Sequence, residues 1–254
     1  MSYNHSAVFQ DHFSKTSNNY AQFRPTYPIS LIQFLAQLAP ERQLALDCGC
    51  GTGQLSVLLA SEFQKVVATD ASEQQIAHAH KNERVEYKTA IAHQSGLDNQ
   101  SVDLITVAQA AHWFDLPCFY QEVNRVAKKK AILALISYGV LHVEGQVDEL
   151  IQHFYWSVLQ PYWPKERQHV ETGYQNLYFP FQEIQAPSFT IEVKWTLNEL
   201  IGYISTWSAI KCLKEQQGDA DIEQFQQQLT QIWGHHDEQK QVYWPLALRI
   251  GQIN

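Results

Sequence analysis

The sequence predicts an α/β fold, with a doubly wound, mostly parallel sheet of seven strands, helices on both faces and a helical lid insertion. Short apolar runs alternate with stretches of helical apolar spacing between residues 44 and 138. These apolar runs are nearly continuous, which is typical of strands buried on both faces of a parallel sheet. After residue 145 the alternation stops and aromatic residues become frequent, which indicates an insertion.

The first half of the chain supplies the elements of the parallel sheet in order. Apolar residues at helical spacing predict helices over 29–39, 54–63, 72–81 and 116–127. Continuous apolar runs predict strands over 43–47, 65–70, 84–88, 101–107 and 131–138. The basic run 128–130 falls between a helix and a strand, and we interpret it as a solvated turn.

The second half is expected to complete the sheet and to cover its carboxyl edge. Helical patterns cover 146–160, 197–214 and the glutamine-rich stretch 224–231. The run 189–195 alternates like a half-exposed strand, and 241–250 is expected to close the sheet at an edge because Pro245 cannot donate a ladder hydrogen bond. We predict one domain over 1–254, with an N-terminal cap at 1–28, a core at about 29–144, 186–195 and 239–254, and lid insertions at about 145–185 and 196–238.

Composition and charge exclude several functional classes. The net charge is −8 and no long basic stripe occurs, which argues against a nucleic-acid partner. No apolar segment approaches the length of a membrane span and the N-terminus lacks a signal-peptide pattern, so we expect a cytoplasmic protein, monomeric or homodimeric. The four cysteines show no zinc-ligand spacing, and no metal site is expected.

A glycine loop follows the first predicted strand and opens the next helix. It reads Asp47-x-Gly49-x-Gly51-x-Gly53. Glycines let the backbone turn sharply and approach a ligand closely, and the first turn of a helix has free N–H groups. The strand–loop–helix context therefore predicts a nucleotide-type ligand at this position.

An acid at the end of the second predicted strand supports the same interpretation. Asp70 lies 23 residues after Asp47. In a doubly wound fold, a carboxylate there reaches the ribose hydroxyls of a bound nucleoside. The alternative is a structural role for Asp70 at the start of the helix that Ser72 caps.

The loop favours S-adenosylmethionine (SAM) over NAD. The dinucleotide pattern G-x-G-x-x-G requires a glycine where Gln54 stands. Asp47, two residues before the first glycine, would repel a pyrophosphate but suits a ligand that carries an ammonium group. SAM has both an ammonium and a sulfonium.

With these motifs the chain resembles the class I SAM-dependent methyltransferases, which have a Rossmann-like fold. Within them it looks like the branch of trans-aconitate methyltransferase-like proteins, and the resemblance covers nearly the whole chain. It rests on the glycine loop, on Asp70, and on the segments 20–28 (YAQFRPTYP), 107–114 (VAQAAHWF), 206–208 and 244–247.

The resemblance implies roles for the residues of the loop and the second strand. Gly49 and Gly51 would pass close to the methionine part of SAM, and Asp47 would anchor its amino end, partly through water. Asp70 would hold the ribose, and Ala71 would border the adenine.

The same resemblance implies further cofactor contacts outside the loop. Ala92 and His93 stand where the family contacts adenine, although many members carry an acid at the position of His93. Gln109 would lie close to the methionine portion. Tyr20 and Arg24 would fold over the cofactor, with Arg24 able to pair with its carboxylate.

Methyl transfer from a sulfonium needs alignment of donor and acceptor more than a dedicated catalytic group. His112 is the candidate base for a hydroxyl or amine acceptor, with pocket lining and a purely structural role as alternatives. A carboxylate acceptor would need no base, and Arg24 or Arg167 would hold it. The aromatic residues expected to line the acceptor pocket are Trp113, Tyr138, Trp163, Tyr174 and Trp207.

The sequence therefore predicts a methyltransferase that acts on a small molecule carrying a carboxylate or hydroxyl. Two alternatives stay open. One is a methyltransferase for a protein or RNA, although the sequence has no basic groove and no Asn/Asp-Pro-Pro-aromatic motif. The other is a module that binds SAM without turnover.

Overall fold

The computed structural model describes residues 25–235 and 237–254, and its strands form two sheets. The strands are β1 (Leu44–Cys48), β2 (Lys65–Asp70), β3 (Val85–Thr89), β4 (Val102–Ala108), β5 (Ala127–Ser137), β6 (Gln182–Ile184), β7 (Thr190–Trp195), β8 (Lys240–Pro245) and β9 (Ala247–Gln252).

Helices connect these strands along the chain. They are α1 (Ile29–Leu38), α2 (Gln54–Leu59), α3 (Glu73–Ala77), α4 (Leu116–Val126), α5 (Gln146–His153), α6 (Arg167–Glu171), α7 (Leu197–Ser205), α8 (Ser208–Gln217) and α9 (Ala220–Trp233). Short 3₁₀ turns lie at Ala111–Trp113 and Gln160–Tyr162, and α5 continues into a π-helical turn at Phe154–Val158.

The main sheet has seven strands in the order β3-β2-β1-β4-β5-β9-β6. The pairs among β1 to β5 are all parallel, whereas β9 is antiparallel to both β5 and β6. This confirms the predicted fold class. Successive strands are added on one side of β1 up to β3 and on its other side from β4 onward. Sheets of this kind bind ligands in the crevice at the carboxyl ends of the two strands where the order reverses, which are β1 and β4 here.

Both faces of the main sheet are covered, and β5 shows this most clearly. Ile132, Ala134 and Ile136 belong to the apolar cluster that includes residues of α1, α5, α7, α8 and α9. Leu133 and Leu135 belong to the cluster on the other face, which α4 covers. All five residues are fully buried, so the continuous apolar run in the sequence reflects a strand packed on both sides.

Two strands of the second half lie elsewhere than predicted. The segment 186–195 was expected in the core sheet, but β7 pairs with β8 in a separate two-stranded antiparallel sheet. β6, which falls inside the predicted lid insertion 145–185, pairs with β9 at the edge of the main sheet. Alternation of apolar and polar residues shows that a strand is half exposed, but it does not show which strand is its partner. The remaining domain boundaries stay predictions.

The predicted strand 241–250 is in fact two strands. β8 ends at Pro245 and β9 begins at Ala247, and the N–H of Leu246 donates to the Phe189 carbonyl. Proline lacks the N–H that would continue the ladder. The first part of this run, β8, therefore belongs to the two-stranded sheet, and the second part, β9, belongs to the main sheet.

The predicted helix 197–214 also divides, into α7 and α8. Thr206 and Trp207 separate the two helices, and Trp207 has extended backbone angles of φ −65° and ψ 133°. The apolar spacing continues across the break, which is why the sequence pattern did not reveal it.

The basic run 128–130 is not a solvated turn, because it forms the start of β5. The ammonium of Lys128 lies 2.8 Å from Oδ1 of Asp103, which is completely buried in β4. The other oxygen of Asp103 accepts hydrogen bonds from the backbone N–H groups of Gln43 (3.0 Å) and Leu44 (2.9 Å). One carboxylate therefore joins the starts of β1, β4 and β5.

Among the residues that the structure describes, no helix combines the length and the apolar character needed to cross a membrane.

Asp103→Ala tests the role of this buried carboxylate. The substitution leaves two backbone N–H groups without their acceptor and removes the buried partner of the Lys128 ammonium, which keeps its contact with the exposed Glu41. The free energy of unfolding should therefore fall by about 3 kcal/mol. Urea denaturation measures the change. Glu41→Gln is the matched control, because Glu41 is an exposed partner of the same lysine and its loss should cost less than about 1 kcal/mol. Equal effects of the two variants would contradict this assignment.

Candidate active site

The glycine loop between β1 and α2 lies across the end of β2. The N–H groups of Gly49 and Cys50 both donate to the Thr69 carbonyl, at 2.7 and 2.9 Å. Gly49, Gly51 and Gly53 have φ angles of +72°, +56° and +82°. Residues with side chains rarely adopt this left-handed conformation, so the alternating glycines follow directly from the path of the loop.

The three glycines of the loop face different surroundings. A Cβ atom on Gly49 would lie 2.6 Å from the Cβ of Ala110, and one on Gly53 would collide with the ring of Tyr87. A Cβ on Gly51 would meet nothing closer than 3.8 Å. Gly49 and Gly53 are therefore required for packing, and Gly51 is the glycine with space beside it for a ligand.

Asp47 lies at the carboxyl end of β1 with only 1% of its surface exposed. One carboxylate oxygen accepts a hydrogen bond from the Ser56 hydroxyl (2.5 Å) and the other accepts from the Thr106 hydroxyl (2.9 Å). Burial raises the pKa of Asp47 to about 6, and the negative charge of Asp70 adds to this rise. A carboxylate held in this way favours a positively charged ligand.

Asp70 holds the glycine loop against the start of α3. Its carboxylate accepts hydrogen bonds from the N–H groups of Gly51 (2.8 Å) and Ser72 (2.9 Å). Ser72 in turn caps α3 by accepting from the N–H of Gln75. A structural role for Asp70 is therefore present, and the ribose contact, which stays a prediction, would be an additional use of the same carboxylate.

The predicted adenine contacts follow the neighbouring strands of the same sheet edge. Ala71 comes directly after β2 and is partly buried. Ala92 and His93 come shortly after β3, where the Ala92 carbonyl lies 3.9 Å from the Cys48 sulfur and His93 is exposed. These positions agree with a ligand that extends from the loop across β2 and β3, and the individual contacts stay predictions.

Gln109 ends β4 in a left-handed conformation, with φ +57°. Its N–H donates to the Ile136 carbonyl (2.9 Å) and its side-chain amide donates to the Tyr138 carbonyl (2.8 Å). Both bonds tie the end of β4 to the end of β5. Tyr20 and Arg24, the predicted residues of the N-terminal cap, lie outside the described residues.

His112 lies in the 3₁₀ turn after β4 and contacts two aromatic residues. Its Nδ1 is hydrogen-bonded to the hydroxyl of Tyr174 at 3.1 Å, and its ring centroid lies 4.8 Å from that of Trp113. Burial lowers the pKa of His112 to about 3, and the positive charge of Arg167 contributes. The imidazole is therefore neutral at physiological pH.

A second aromatic cluster surrounds Arg167. The rings of Tyr155, Trp163 and Trp207 lie within 4.9 to 5.9 Å of one another, and the guanidinium carbon lies 5.0 Å from the Trp163 ring centroid. Arg167 Nε donates to the Tyr155 hydroxyl (2.8 Å), which donates to Glu171 (2.9 Å). We call Tyr155, Trp163, Arg167 and Trp207 the arginine cluster.

The structure thus divides the predicted acceptor residues into groups. Trp163, Arg167 and Trp207 form the arginine cluster, and Trp113 and Tyr174 flank His112. Tyr138 packs at the end of β5 with its ring edge-on to Trp244. The sequence analysis missed Tyr155, because a buried aromatic residue in a helical segment gives no signal that distinguishes it from core.

The arginine cluster and His112 belong to one electrostatic environment. The positive charge of Arg167 acts to lower the pKa of His112, and it also opposes the upward shift that burial causes in the pKa of Tyr174 and of Tyr155. The helix α6, which begins at Arg167, packs against the 3₁₀ turn that contains His112. The described residues therefore include a glycine loop held by Asp70 and an aromatic region that contains the Arg167 guanidinium.

Comparison with known proteins identifies the class. A family model described as a methyltransferase domain matches residues 46–135, which include the glycine loop, Asp70 and β4. The chain belongs to the SAM-dependent methyltransferases, and SAM is its methyl donor. The predicted cofactor and enzyme class are confirmed.

Individual relatives support this assignment over most of the chain. The chain is similar to a Dictyostelium discoideum protein assigned to the methyltransferases, with 37% identity over 204 residues that make up 79% of this chain and 78% of that protein. It is also similar to a solved type II methyltransferase structure from Anaeromyxobacter dehalogenans, with TM-score 0.87, 42% identity and coverage of 91% and 98%. A malonyl-[acyl-carrier protein] O-methyltransferase of Acetivibrio thermocellus is 28% identical over 52% of this chain and 50% of that protein.

The residues present fit SAM on the grounds of their own chemistry. Burial raises the pKa of the Asp47 carboxyl, and the negative charge of Asp70 adds to this rise. A ligand with ammonium and sulfonium charges relieves this repulsion, whereas a pyrophosphate increases it. The open space beside Gly51 supplies room for the approach.

Asp47→Asn should stabilise the ligand-free protein in a pH-dependent way. The raised pKa means that the folded protein binds the proton more tightly than the unfolded chain, so the cost of the ionised carboxylate is absent below pH 4 and fully present above pH 6. The variant should be more stable than the wild type by about 1–3 kcal/mol at pH 7.5, with a difference that vanishes towards pH 4.

Chemical denaturation between pH 4 and pH 8 measures this difference. Asp98→Asn, at an exposed aspartate, is the control and should change stability by less than about 0.5 kcal/mol across the range. A stability gain for Asp47→Asn that is independent of pH would show that the ionised carboxylate is not the source of the cost.

Proposed function

We propose that the enzyme transfers the methyl group of SAM to a small molecule that carries a carboxylate or a hydroxyl. The observation that carries this proposal is the arginine cluster, in which one guanidinium lies among aromatic side chains near His112. Aromatic side chains provide an apolar surface for a small ligand, and the guanidinium provides a forked donor for a carboxylate.

SAM, when bound, supplies an activated methyl group that leaves its sulfur by in-line displacement. The residues of this chain then have to align the acceptor and exclude water. Asp47, Gly49, Gly51, Asp70 and Gln109 are the proposed cofactor residues of the described part, with Ala71, Ala92 and His93 beside the adenine, and Tyr20 and Arg24 from the cap. Trp113, Tyr138, Trp163, Arg167, Tyr174 and Trp207 are the proposed acceptor residues.

Arg167 favours a carboxylate acceptor. Its Nε is occupied by Tyr155, and about a quarter of its side chain is exposed. Its ion pair with Glu171 is long, at 3.9 Å. Among the described residues, no acceptor binds its terminal N–H groups. A guanidinium in this state beside low-polarity rings attracts an anion more strongly than an arginine in open solvent.

His112 provides for a hydroxyl acceptor. The imidazole is neutral, and when Nδ1 carries the hydrogen bonded to Tyr174, Nε2 keeps the lone pair that a base requires. With a pKa of about 3, the imidazole is a weak base. It would therefore take the hydroxyl proton only as the oxygen–methyl bond forms, when that proton becomes strongly acidic. A carboxylate, which is already ionised, needs no such step.

The Acetivibrio relative offers indirect support for a carboxylate acceptor. Its name describes O-methylation of a malonyl group on a carrier protein, and a malonyl group ends in a carboxylate. This supports the acceptor chemistry, as does the resemblance to the trans-aconitate methyltransferase-like branch. A carrier-bound acceptor would move the assignment towards the alternative of a protein or RNA methyltransferase, and SAM binding without turnover would indicate a non-catalytic module.

Arg167→Gln should separate acceptor binding from cofactor binding. The loss of a charge-assisted contact should raise KM for a carboxylate acceptor by about 10- to 100-fold, whereas the dissociation constant for SAM should stay unchanged. Mass spectrometry of methylated products from a panel of small carboxylic acids and hydroxy compounds provides the assay. Lys165→Gln, an exposed cation in the same segment, is the control and should behave as the wild type.

Two results would count against this assignment. A protein that binds SAM but methylates no member of the panel would favour a macromolecular acceptor or a module without turnover. If the variant binds SAM more weakly and keeps the wild-type KM for the acceptor, Arg167 contacts the cofactor and not the acceptor.

A further inference from the structure

The turn after α6 contains two consecutive residues in the left-handed region. Gly173 has φ +61° and Tyr174 has φ +63°. Glycine adopts this conformation freely, but a residue with a side chain loses about 1–2 kcal/mol by adopting it. Strained residues of this kind persist only where the surrounding structure fixes them.

The strained residue is also the one that contacts His112. The side chain of Tyr174 is completely buried, and its hydroxyl lies 3.1 Å from Nδ1 of His112. Its backbone N–H donates to the His169 carbonyl at 2.7 Å. The left-handed turn therefore determines where this hydroxyl points.

Arg249 of β9 binds two backbone carbonyls of this turn. Its Nη1 donates to the carbonyls of Tyr174 (3.0 Å) and Leu177 (2.6 Å), and its Nη2 donates to Glu183 of β6 (2.5 Å). The side chain is only 6% exposed, and its guanidinium carbon lies 4.7 Å from the Phe179 ring centroid. Such a rigid, planar fork can bond several acceptors at once, which a lysine ammonium cannot do in the same geometry.

A second contact fixes the same turn on β9. A Cβ atom on Gly173 would lie 2.7 Å from the Cβ of Ala247, the first residue of β9. Ala247 pairs with Ser137 of β5. The turn is therefore held against the main sheet by close packing at Gly173 and by hydrogen bonds from Arg249.

We propose that Arg249 is a positioning residue, which holds the turn 173–177 on β9 and thereby aims the Tyr174 hydroxyl at Nδ1 of His112. The orientation of the His112 ring then depends on a residue in the last strand of the sheet. The catalytic consequence rests on the proposed function, whereas the positioning itself is independent of any acceptor.

The contact with Glu183 does not account for Arg249 by itself. Glu183 lies on β6, and its carboxylate is about half exposed. A pair that served only to join β6 to β9 would not need the two carbonyl contacts. Lysine at position 249 would keep the charge opposite Glu183 and lose the bridge between the two carbonyls.

The test observes the imidazole nitrogens of His112 by NMR in protein labelled with ¹⁵N-histidine, without any acceptor. His112→Gln identifies the His112 resonances among the 11 histidines of the chain. Tyr174→Phe removes the hydroxyl and defines the shift that accompanies loss of the hydrogen bond. Arg249→Lys should shift the same resonances in the same direction by at least half as much, and Glu183→Gln should leave them at the wild-type positions.

Folded Arg249→Lys protein with wild-type His112 resonances would overturn the proposal, provided that Tyr174→Phe shifts them. Should Arg249→Lys fail to fold, Gly173→Ala serves instead, because it keeps Arg249 and pushes the turn away from Ala247. It should shift the His112 resonances in the same way, and unchanged resonances would again overturn the proposal. A shift in either variant without any methylation activity would support the positioning and contradict only the proposed acceptor function.

Discussion

The buried carboxylate of Asp47 is the constraint on which the rest of the site depends. It joins β1 to α2 through Ser56 and to β4 through Thr106, and these are the elements that border the crevice. Burial disfavours the ionised form, so the folded protein keeps an unfavourable charge at this position. A cationic ligand beside Asp47 would offset that cost on binding, and this would couple the stability of the fold to recognition of SAM.

Asp70, the second acid near the loop, fixes the conformation of the glycine loop. Asp70 bonds the N–H groups of Gly51 and Ser72, while Thr69 accepts from Gly49 and Cys50. The loop is therefore preorganised, and its glycines are needed for different reasons. Gly51 leaves space for the ligand, whereas Gly49 and Gly53 allow close packing against Ala110 and Tyr87.

The proposed acceptor residues come from distant parts of the chain. Tyr155, Trp163, Arg167 and Tyr174 belong to the region between β5 and β6, while Trp207 comes from the break between α7 and α8. The Arg167 guanidinium lies against the rings of Tyr155 and Trp163. Burial, with a contribution from this positive charge, keeps the His112 imidazole neutral. The proposed acceptor side thus combines apolar surface, the Arg167 guanidinium with its Glu171 partner, and the neutral imidazole of His112.

The glycine loop and the proposed acceptor residues differ in how far they could be predicted from the sequence. The glycine loop and Asp70 are local patterns, because positive φ angles and a strand–loop–helix context restrict which residues can occur. The separate sheet of β7 and β8, the contact of Arg249 with Tyr174 and the participation of Tyr155 depend on pairings between residues far apart in sequence. Alternation and apolar spacing describe how a segment is buried, but they carry no information about its partner.

Calorimetric titration of the purified protein with SAM and, separately, with NAD tests the central claim most directly. We expect SAM to bind in the micromolar range and NAD to give no heat of binding, because the two carboxylates attract a cationic ligand and repel a pyrophosphate. Folded protein that binds NAD, or that binds neither ligand, would contradict the assignment of the Asp47–Asp70 loop as a SAM site.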